Sequence, residues 1–439
     1  MKKPCLNLSQ YNYILDHIDP VVNKGKVKKV IGNVIESEGP AVHLGEMCYV
    51  YCYEQECPVL CEVVGFRENV VLLMPLGDLG GIKPGSSVVA SGKPQVINVG
   101  NELLGRIVDP FGNPIDNGPP IYTKTRYMIE NSPPSPLSRK RVTERLSLGI
   151  KAIDALITCG KGQRLGIFSG SGVGKSTLMG MIARNSSADV NVIGLIGERG
   201  REVRDFIERD LKEEGLKKSV VLVVTSDQPA LLKIKGAFAV TAIAEYFRDQ
   251  GLDVMLMMDS VTRFAMAKRE IGLAIGEPPA TKGYTPSVYS ILPKLLERAG
   301  TSDKGTITAL YTVLVEADDY NEPVSDSVRA ILDGHVMLSR DLAAKNHYPS
   351  IDILESVSRL AIEIINDEQA KAAGAVREIL ATYKTAEDLI NIGAYVKGSN
   401  PKIDYSISMY DRVMNFLKQG IFESYSYEET LKQLYSLFT

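Results

Sequence analysis

Residues 169–177 read Ser169-Gly170-Ser171-Gly172-Val173-Gly174-Lys175-Ser176-Thr177, between the apolar run Leu165–Ser169 and a stretch of helical spacing that begins at Leu178. A strand, a glycine-rich turn and a helix in that order form a phosphate cradle: the glycines let successive amide hydrogens face one centre, and the helix N-terminus adds its positive dipole end. Lys175 then supplies a point charge for β and γ phosphates, and the Ser176 hydroxyl is placed to ligate magnesium. The usual pattern opens on glycine or alanine where Ser169 stands, a position at the strand end that demands no positive φ.

Working outward, Val254–Asp259 is a hydrophobic strand ending in one carboxylate, the Walker B arrangement, in which Asp259 orients magnesium through water. Taken alone, an acidic strand end also reads as a helix cap. A binding loop does not by itself hydrolyse anything, so a water-polarising group is needed. Glu198, in Gly197-Glu198-Arg199-Gly200-Arg201-Glu202, follows the next strand and falls at the same sheet edge. The alternative is an exposed charged turn leading into a helix over 203–213.

The middle of the chain alternates strand and helix, with strands expected at Leu165–Ser169, Val190–Ile196, Val220–Thr225, Val254–Asp259 and Thr306–Val315, which predicts a parallel sheet covered on both faces. Before it, residues 27–90 are short, β-branched and glycine-punctuated, as in a small β-barrel. Prolines crowd 109–138, which reads as extended and irregular. Past Pro349 no strand is expected, and Glu368–Tyr383, Ala386–Ile392 and Met409–Gln419 carry helical spacing. The expected division is 1–24 as an adaptor segment, 25–93 as a β-barrel, 94–348 as an α/β RecA-like P-loop core and 349–439 as a C-terminal helical domain.

At 439 residues the chain is long enough for two or three domains. No apolar run reaches the length of a membrane span, and residues 7–19 are too polar for a signal peptide, so a cytoplasmic protein is expected. A formal charge of −3 gives no general attraction to nucleic acid. Cys48, Cys52, Cys57 and Cys61 invite a zinc reading, but cysteines four apart on a strand lie roughly 13 Å apart. Tetrahedral zinc needs sulfurs about 2.3 Å from one centre. Reduced thiols in a β-hairpin fit better.

The phosphate loop, Gly-Glu-Arg-Gly-Arg-Glu-Val from 197, Met-Asp-Ser-Val-Thr-Arg-Phe-Ala from 258, Gly-Glu-Pro-Pro-Ala-Thr-Lys-Gly-Tyr from 276 and Leu-Asp-Gly-His-Val-Met-Leu-Ser-Arg from 332 together resemble the type III protein export ATPases related to the rotary ATPases, the flagellum-specific branch most closely. Nearly the whole chain takes part. The resemblance implies a magnesium-dependent ATPase that energises protein export, with Glu198 as catalytic carboxylate and Arg263 near the reacting phosphate. It places the Tyr348 ring against adenine, where the residue alone also reads as an aromatic packed before a proline turn. It makes Arg359, otherwise a surface arginine, a finger offered to a neighbouring subunit.

One chain carrying both a nucleotide site and a finger predicts a homohexamer, since identical copies complete each other in a closed ring. The resemblance further implies a regulatory dimer bound to the first two dozen residues, a central stalk-like protein, export chaperones and cargo. It implies docking at the cytoplasmic face of a membrane export gate, and a pore-lining loop over 271–289. An injectisome ATPase shares all of this chemistry. An RNA translocase is disfavoured because 25–90 lacks interleaved basic and aromatic residues; a rotary synthase catalytic subunit would need a second kind of chain, and a nucleotide-sensing scaffold would need no working Glu198.

Overall fold

A computed structural model describes residues 23–52, 57–315, 319 and 322–439. The expected docking segment therefore lies almost wholly outside the described residues. The chain divides into two compact units, one up to Gln95 and one from Val96.

The first unit is a closed barrel of β1 (Lys24–Ile31), β2 (Val34–Glu38), β3 (Met47–Tyr51), β4 (Val59–Arg67), β5 (Val70–Pro75) and β6 (Ser87–Ala90), in the order β1-β2-β5-β4-β3-β6. Alternate residues point inward, so Val27, Ile35, Val50, Val63, Leu73 and Val88 fill the interior. Closure removes the exposed edges that so small a sheet would otherwise present. Cys48 and Cys61 face each other across the antiparallel β3–β4 pair.

The second unit opens with β7 (Val96–Val99) and β8 (Ile107–Val108), and β9 (Thr125–Met128) pairs back on β7. The proline-rich stretch thus holds a strand that its composition hid. The main sheet adds β10 (Arg164–Ser169), β11 (Val190–Glu198), β12 (Ser219–Thr225), β13 (Asp253–Asp259), β14 (Gly300–Thr301), β15 (Thr306–Leu314), β16 (Gly334–Leu338) and β17 (Ile351–Ser358), ordered β17-β16-β10-β15-β13-β11-β12-β8, with β14 paired on β15. From β16 to β8 the strands on this path are parallel. Their residues are buried almost without interruption, as strands sandwiched between helices must be.

The longer helices are α1 (Lys175–Asn185), α2 (Ala230–Asp249), α3 (Val261–Ile275), α4 (Pro286–Leu296), α5 (Pro323–Ile331), α6 (Asp367–Asn391), α7 (Pro401–Leu417) and α8 (Tyr427–Tyr435). Four expectations need correction. β17 is a strand beyond Pro349, antiparallel to β16 on the sheet edge, where one side is open and its polar residues break the apolar pattern. The helices expected at 368–383 and 386–392 are one continuous α6, since Lys384 and Thr385 face outward without breaking it. The helix expected over 203–213 is interrupted by a π-helical turn, Phe206–Leu211. The loop expected over 271–289 contributes its ends to α3 and α4.

The C-terminal helices do not form a separate core. Val376 and Ile379 of α6 and Val413 and Phe416 of α7 share one apolar cluster with Met179 and Ile182 of α1 and the inward residues Ile167, Leu195, Met257 and Val336 of the sheet. Arg377 of α6 donates to the Ile353 and Leu156 carbonyls, at 2.5 and 3.0 Å, tying that helix to β17. Among the described residues, no helix is long and apolar enough to cross a membrane.

Behind the sheet, Arg298 is fully buried and makes a two-pronged ion pair with Glu245 of α2, at 2.8 and 2.6 Å. Truncating one partner strands the other charge in the interior. Glu245→Ala is therefore expected to lower stability by about 3–5 kcal/mol, read from the shift of the urea unfolding midpoint.

Candidate active site

Parallel pairing sets the carboxyl ends of four strands at one level. Ser169 of β10 pairs with Leu314 of β15 and Leu338 of β16, and Asp259 of β13 pairs with Leu195 of β11. β15 lies between the loop-bearing β10 and the acidic β13. The chain crosses over from β10 to β11, which opens a crevice beyond the carboxyl ends, where open α/β sheets bind ligands.

Into that crevice the loop turns. Gly172 and Gly174 take φ of +79° and +94°, a region that L side chains avoid, and α1 starts immediately at Lys175. Its ammonium lies 2.5 Å from Asp259 Oδ1 and 3.8 Å from Glu198 Oε1. Burial works against the charge on Lys175, but Asp259 and Glu198 outweigh it and push the ammonium up. Thr312 of β15 donates to the same Asp259 oxygen at 2.7 Å, so the interposed strand fixes the carboxylate from the side.

Glu198 ends β11 through a bulge at Gly197. Burial first, then the Asp259 charge, raise its carboxyl to about 7 against the pull of Lys175, with Glu202 adding to the rise. Gly197 has φ of +77°, and a Cβ there would sit 2.9 Å from the Arg263 Cβ. Arg263 enters from the first turn of α3, whose N-cap Ser260 accepts from the Arg263 backbone at 3.3 Å.

A cavity of about 700 Å³ collects these groups. Gly170, Ser171, Gly172, Gly174, Lys175, Ser176, Thr177, Glu198 and Arg263 all line it. Val173 does not: it is buried, and its carbonyl accepts from Ser350 Oγ at 2.6 Å, which staples the loop to the chain just before β17. Asp259 lies below the cavity floor and acts on it through Lys175.

Tyr348 borders the loop, its ring 3.6 Å from where a Gly174 Cβ would stand, and is 40% exposed. Its carbonyl accepts from the Gln419 backbone at 3.0 Å. The Gln419 side chain is locked by Lys151 N and Gly149 O, each at 2.9 Å.

Arg359 is elsewhere. β17 begins at Ile351 beside Leu338, level with the loop, and runs back until Ser358 pairs with Gly334. An irregularity in the pairing lets these residues lie opposite only Leu338 to Gly334, and Arg359 ends level with Asp333, five residues of β16 or roughly 16 Å from the carboxyl edge. It is exposed there, its backbone N–H on the Asp333 carbonyl at 3.0 Å.

Sequence reasoning missed Thr312, Ser350, Gln419 and Arg340, the last of which also lines the cavity. Thr312 had little signal of its own, being one of three threonines along β15. Ser350 and Gln419 act through folding partners more than 150 residues away and had none.

Comparison with known proteins matches this architecture. Residues 149–358 fit the ATP synthase alpha/beta family, nucleotide-binding domain; 27–92 fit the beta-barrel domain of the same family; 365–436 fit the T3SS EscN ATPase C-terminal domain. The flagellum-specific ATP synthase of Bacillus subtilis is 54% identical over 424 residues, covering 96% of this chain and 97% of that one. The chain belongs to the flagellum-specific and type III secretion ATPases.

Two structures of this family resemble it throughout. The assembled ATPase EscN of the enteropathogenic E. coli type III secretion system has a TM-score of 0.89 at 45% identity, covering 94% of this chain and all of that one. EscN in complex with its central stalk EscO has a TM-score of 0.87 at the same identity and coverage. For a member of this ATPase family, Gly197→Ala is expected to cost about 1–3 kcal/mol in backbone strain and to displace Glu198 and Arg263. ATP turnover should collapse while ATP binding to the loop persists, checked by steady-state phosphate release beside equilibrium nucleotide binding.

Proposed function

We propose that this chain hydrolyses ATP with magnesium to energise protein export by a flagellar type III apparatus, working as a homohexameric ring at the cytoplasmic face of the export gate. The observation that carries the chemistry is the convergence of the Lys175 ammonium with the Glu198 and Asp259 carboxylates at the mouth of a glycine loop. The flagellar assignment rests on the B. subtilis relative, and an injectisome role rests on the EscN likeness.

The donors suit a hydrated magnesium ion. Ser176 and Asp259 offer hard oxygens, and Glu198 Oε1 and Arg263 Nε are buried polar atoms without a hydrogen-bond partner among the described residues. Bound there, held by Ser176 and through water by Asp259, magnesium would neutralise charge on the β and γ phosphates. The loop amides of 170–177 and Lys175 bind the triphosphate, and Tyr348 offers its ring to adenine. Glu198 accepts a proton from the attacking water as its oxygen bonds to the γ phosphorus and the bridging P–O bond breaks, leaving ADP and phosphate. Arg263 holds γ-phosphate oxygens in place.

Arg359 serves the neighbouring subunit's site, because its own strand carries it away from its own loop. A central stalk fits the ring's axis, as EscO accompanies EscN. A regulatory dimer at residues 1–24, export chaperones and protein cargo complete the set of partners, and the segment 271–289 faces the pore.

Glu198→Gln is expected to abolish turnover while ATP still binds, and Arg359→Ala to slow it about a thousandfold or more. Mixing the two inactive variants should restore activity, because some interfaces then pair an intact Glu198 with an intact Arg359. Absence of recovery in co-assembled rings would refute completion in trans.

Glu198 must be ionised to accept the proton, and its carboxyl is raised to about 7. For the free enzyme, kcat/KM should therefore fall about tenfold per pH unit below that value and level off above it. A pH profile of initial rates tests this, and a flat profile between pH 5.5 and 7 would count against Glu198 as the base.

A further inference from the structure

Away from the nucleotide cavity, a groove of about 170 Å³ lies between β17 and helices α6 and α7. Its walls are aliphatic, with Ile351 and Ile353 from the strand and Leu380, Met414 and Leu417 from the helices. Tyr383 and Tyr410 stack at one side, ring centroids 3.6 Å apart at 12°. His347 also lines the groove. It is 98% buried, and its Nδ1 meets no hydrogen-bond partner among the described residues.

A buried imidazole nitrogen left unpaired keeps its full desolvation cost with nothing to offset it. Proteins seldom keep such a group without a use for it. Apart from the exposed Asp341, the charged groups that line the groove are already committed. Lys345 pairs with Glu387 at 3.4 Å, Lys384 pairs with Glu355 at 3.7 Å, and Asp352 Oδ1 accepts from the backbone of Leu354 and Glu355 at 2.9 and 3.2 Å. Around His347 itself the walls are aliphatic and tyrosine, which favours an uncharged ring there. Burial, with Lys418 nearby, lowers His347 to about 4, so its ring is neutral and offers one lone pair or one N–H. The volume is close to that of the engineered apolar cavities, about 150 Å³, that take up benzene.

We propose that this groove is an effector site for a small, uncharged, planar aromatic ligand bearing one hydroxyl or N–H group, of the phenol or indole class, which hydrogen-bonds His347 Nδ1. The ring inserts between the aliphatic wall and the Tyr383–Tyr410 stack. Its effect reaches the nucleotide through the chain itself. His347 is bonded to Tyr348, the residue whose ring borders Gly174. Binding to the groove stands independently of the nucleotide reading, whereas the effect on nucleotide affinity rests on it.

The probes are p-cresol and p-xylene, equal in shape and different only in the hydroxyl, titrated against the full chain by ligand-observed NMR. Wild type should bind p-cresol about tenfold more tightly than p-xylene, and His347→Phe should remove that difference while keeping the p-xylene affinity. Leu380→Trp, which fills the groove, should abolish both and serves if His347→Phe does not fold. In wild type, saturating p-cresol should shift the affinity for a non-hydrolysable ATP analogue severalfold, and this shift should vanish in His347→Phe or Leu380→Trp. Equal p-cresol binding by wild type and Leu380→Trp, no hydroxyl preference in wild type, or no saturable binding would overturn the site. Saturable, His347-dependent binding with unchanged nucleotide affinity would overturn the effector role and leave the Glu198 chemistry untouched.

Discussion

One ammonium held between two carboxylates sets the terms for the rest of the molecule. Lys175, Asp259 and Glu198 are largely withdrawn from water, and together they carry one more negative charge than positive. Such a cluster is costly to bury, because each ion gives up hydration that its neighbours must replace. Two features offset the cost. Asp259 takes both the ammonium and the Thr312 hydroxyl on one oxygen, and Glu198 relieves the excess by holding its proton up to about neutral pH. The second feature is also what a proton acceptor needs, since a base poised near the working pH is the most useful one. The electrostatic penalty and the proposed chemistry therefore come from the same arrangement.

That arrangement demands register. The three groups come from different strands or their ends, and β15 stands between the loop strand and the acidic one. A slip of one residue in any pairing would turn the terminal side chain to the other face of the sheet. The near-continuous apolar strands, covered on both faces, are what make a slip expensive. Here the core serves the site directly, because packing holds the level at which four carboxyl ends meet.

Much of this was legible. Strand, glycines, lysine and hydroxyl are contiguous, so residues 169–177 disclosed their local structure, and Asp259 and Glu198 were found because each ends an apolar run. The misses have a common physical origin. β17 is an edge strand with Asp352, Glu355, Ser356 and Ser358 interleaved among its apolar residues, and it shows neither a clean alternation nor a continuous apolar run. The interruption after Asp205 is a change of hydrogen-bond pattern within a helix, to which side-chain periodicity is nearly blind. Ser350 and Gln419 owe their importance to loops that only tertiary folding brings near, so no local pattern could single them out.

The misread strand also carries the argument about assembly. β17 leaves from behind the phosphate loop, where Ser350 is stapled to Val173, and delivers Arg359 to the far end of the sheet. Although β17 bulges between Asp352 and Val357, its pairs with β16 on either side hold its two ends apart, and the clasp of Arg377 on its Ile353 carbonyl pins it further. Within one chain, then, the nucleotide loop and the candidate finger are held apart by the same element that supports the loop. If Arg359 acts on a phosphate at all, that phosphate belongs to another copy. Each subunit in the proposed ring supplies one half to each of two sites, so turnover at an interface depends on how two chains are seated and not on either chain alone.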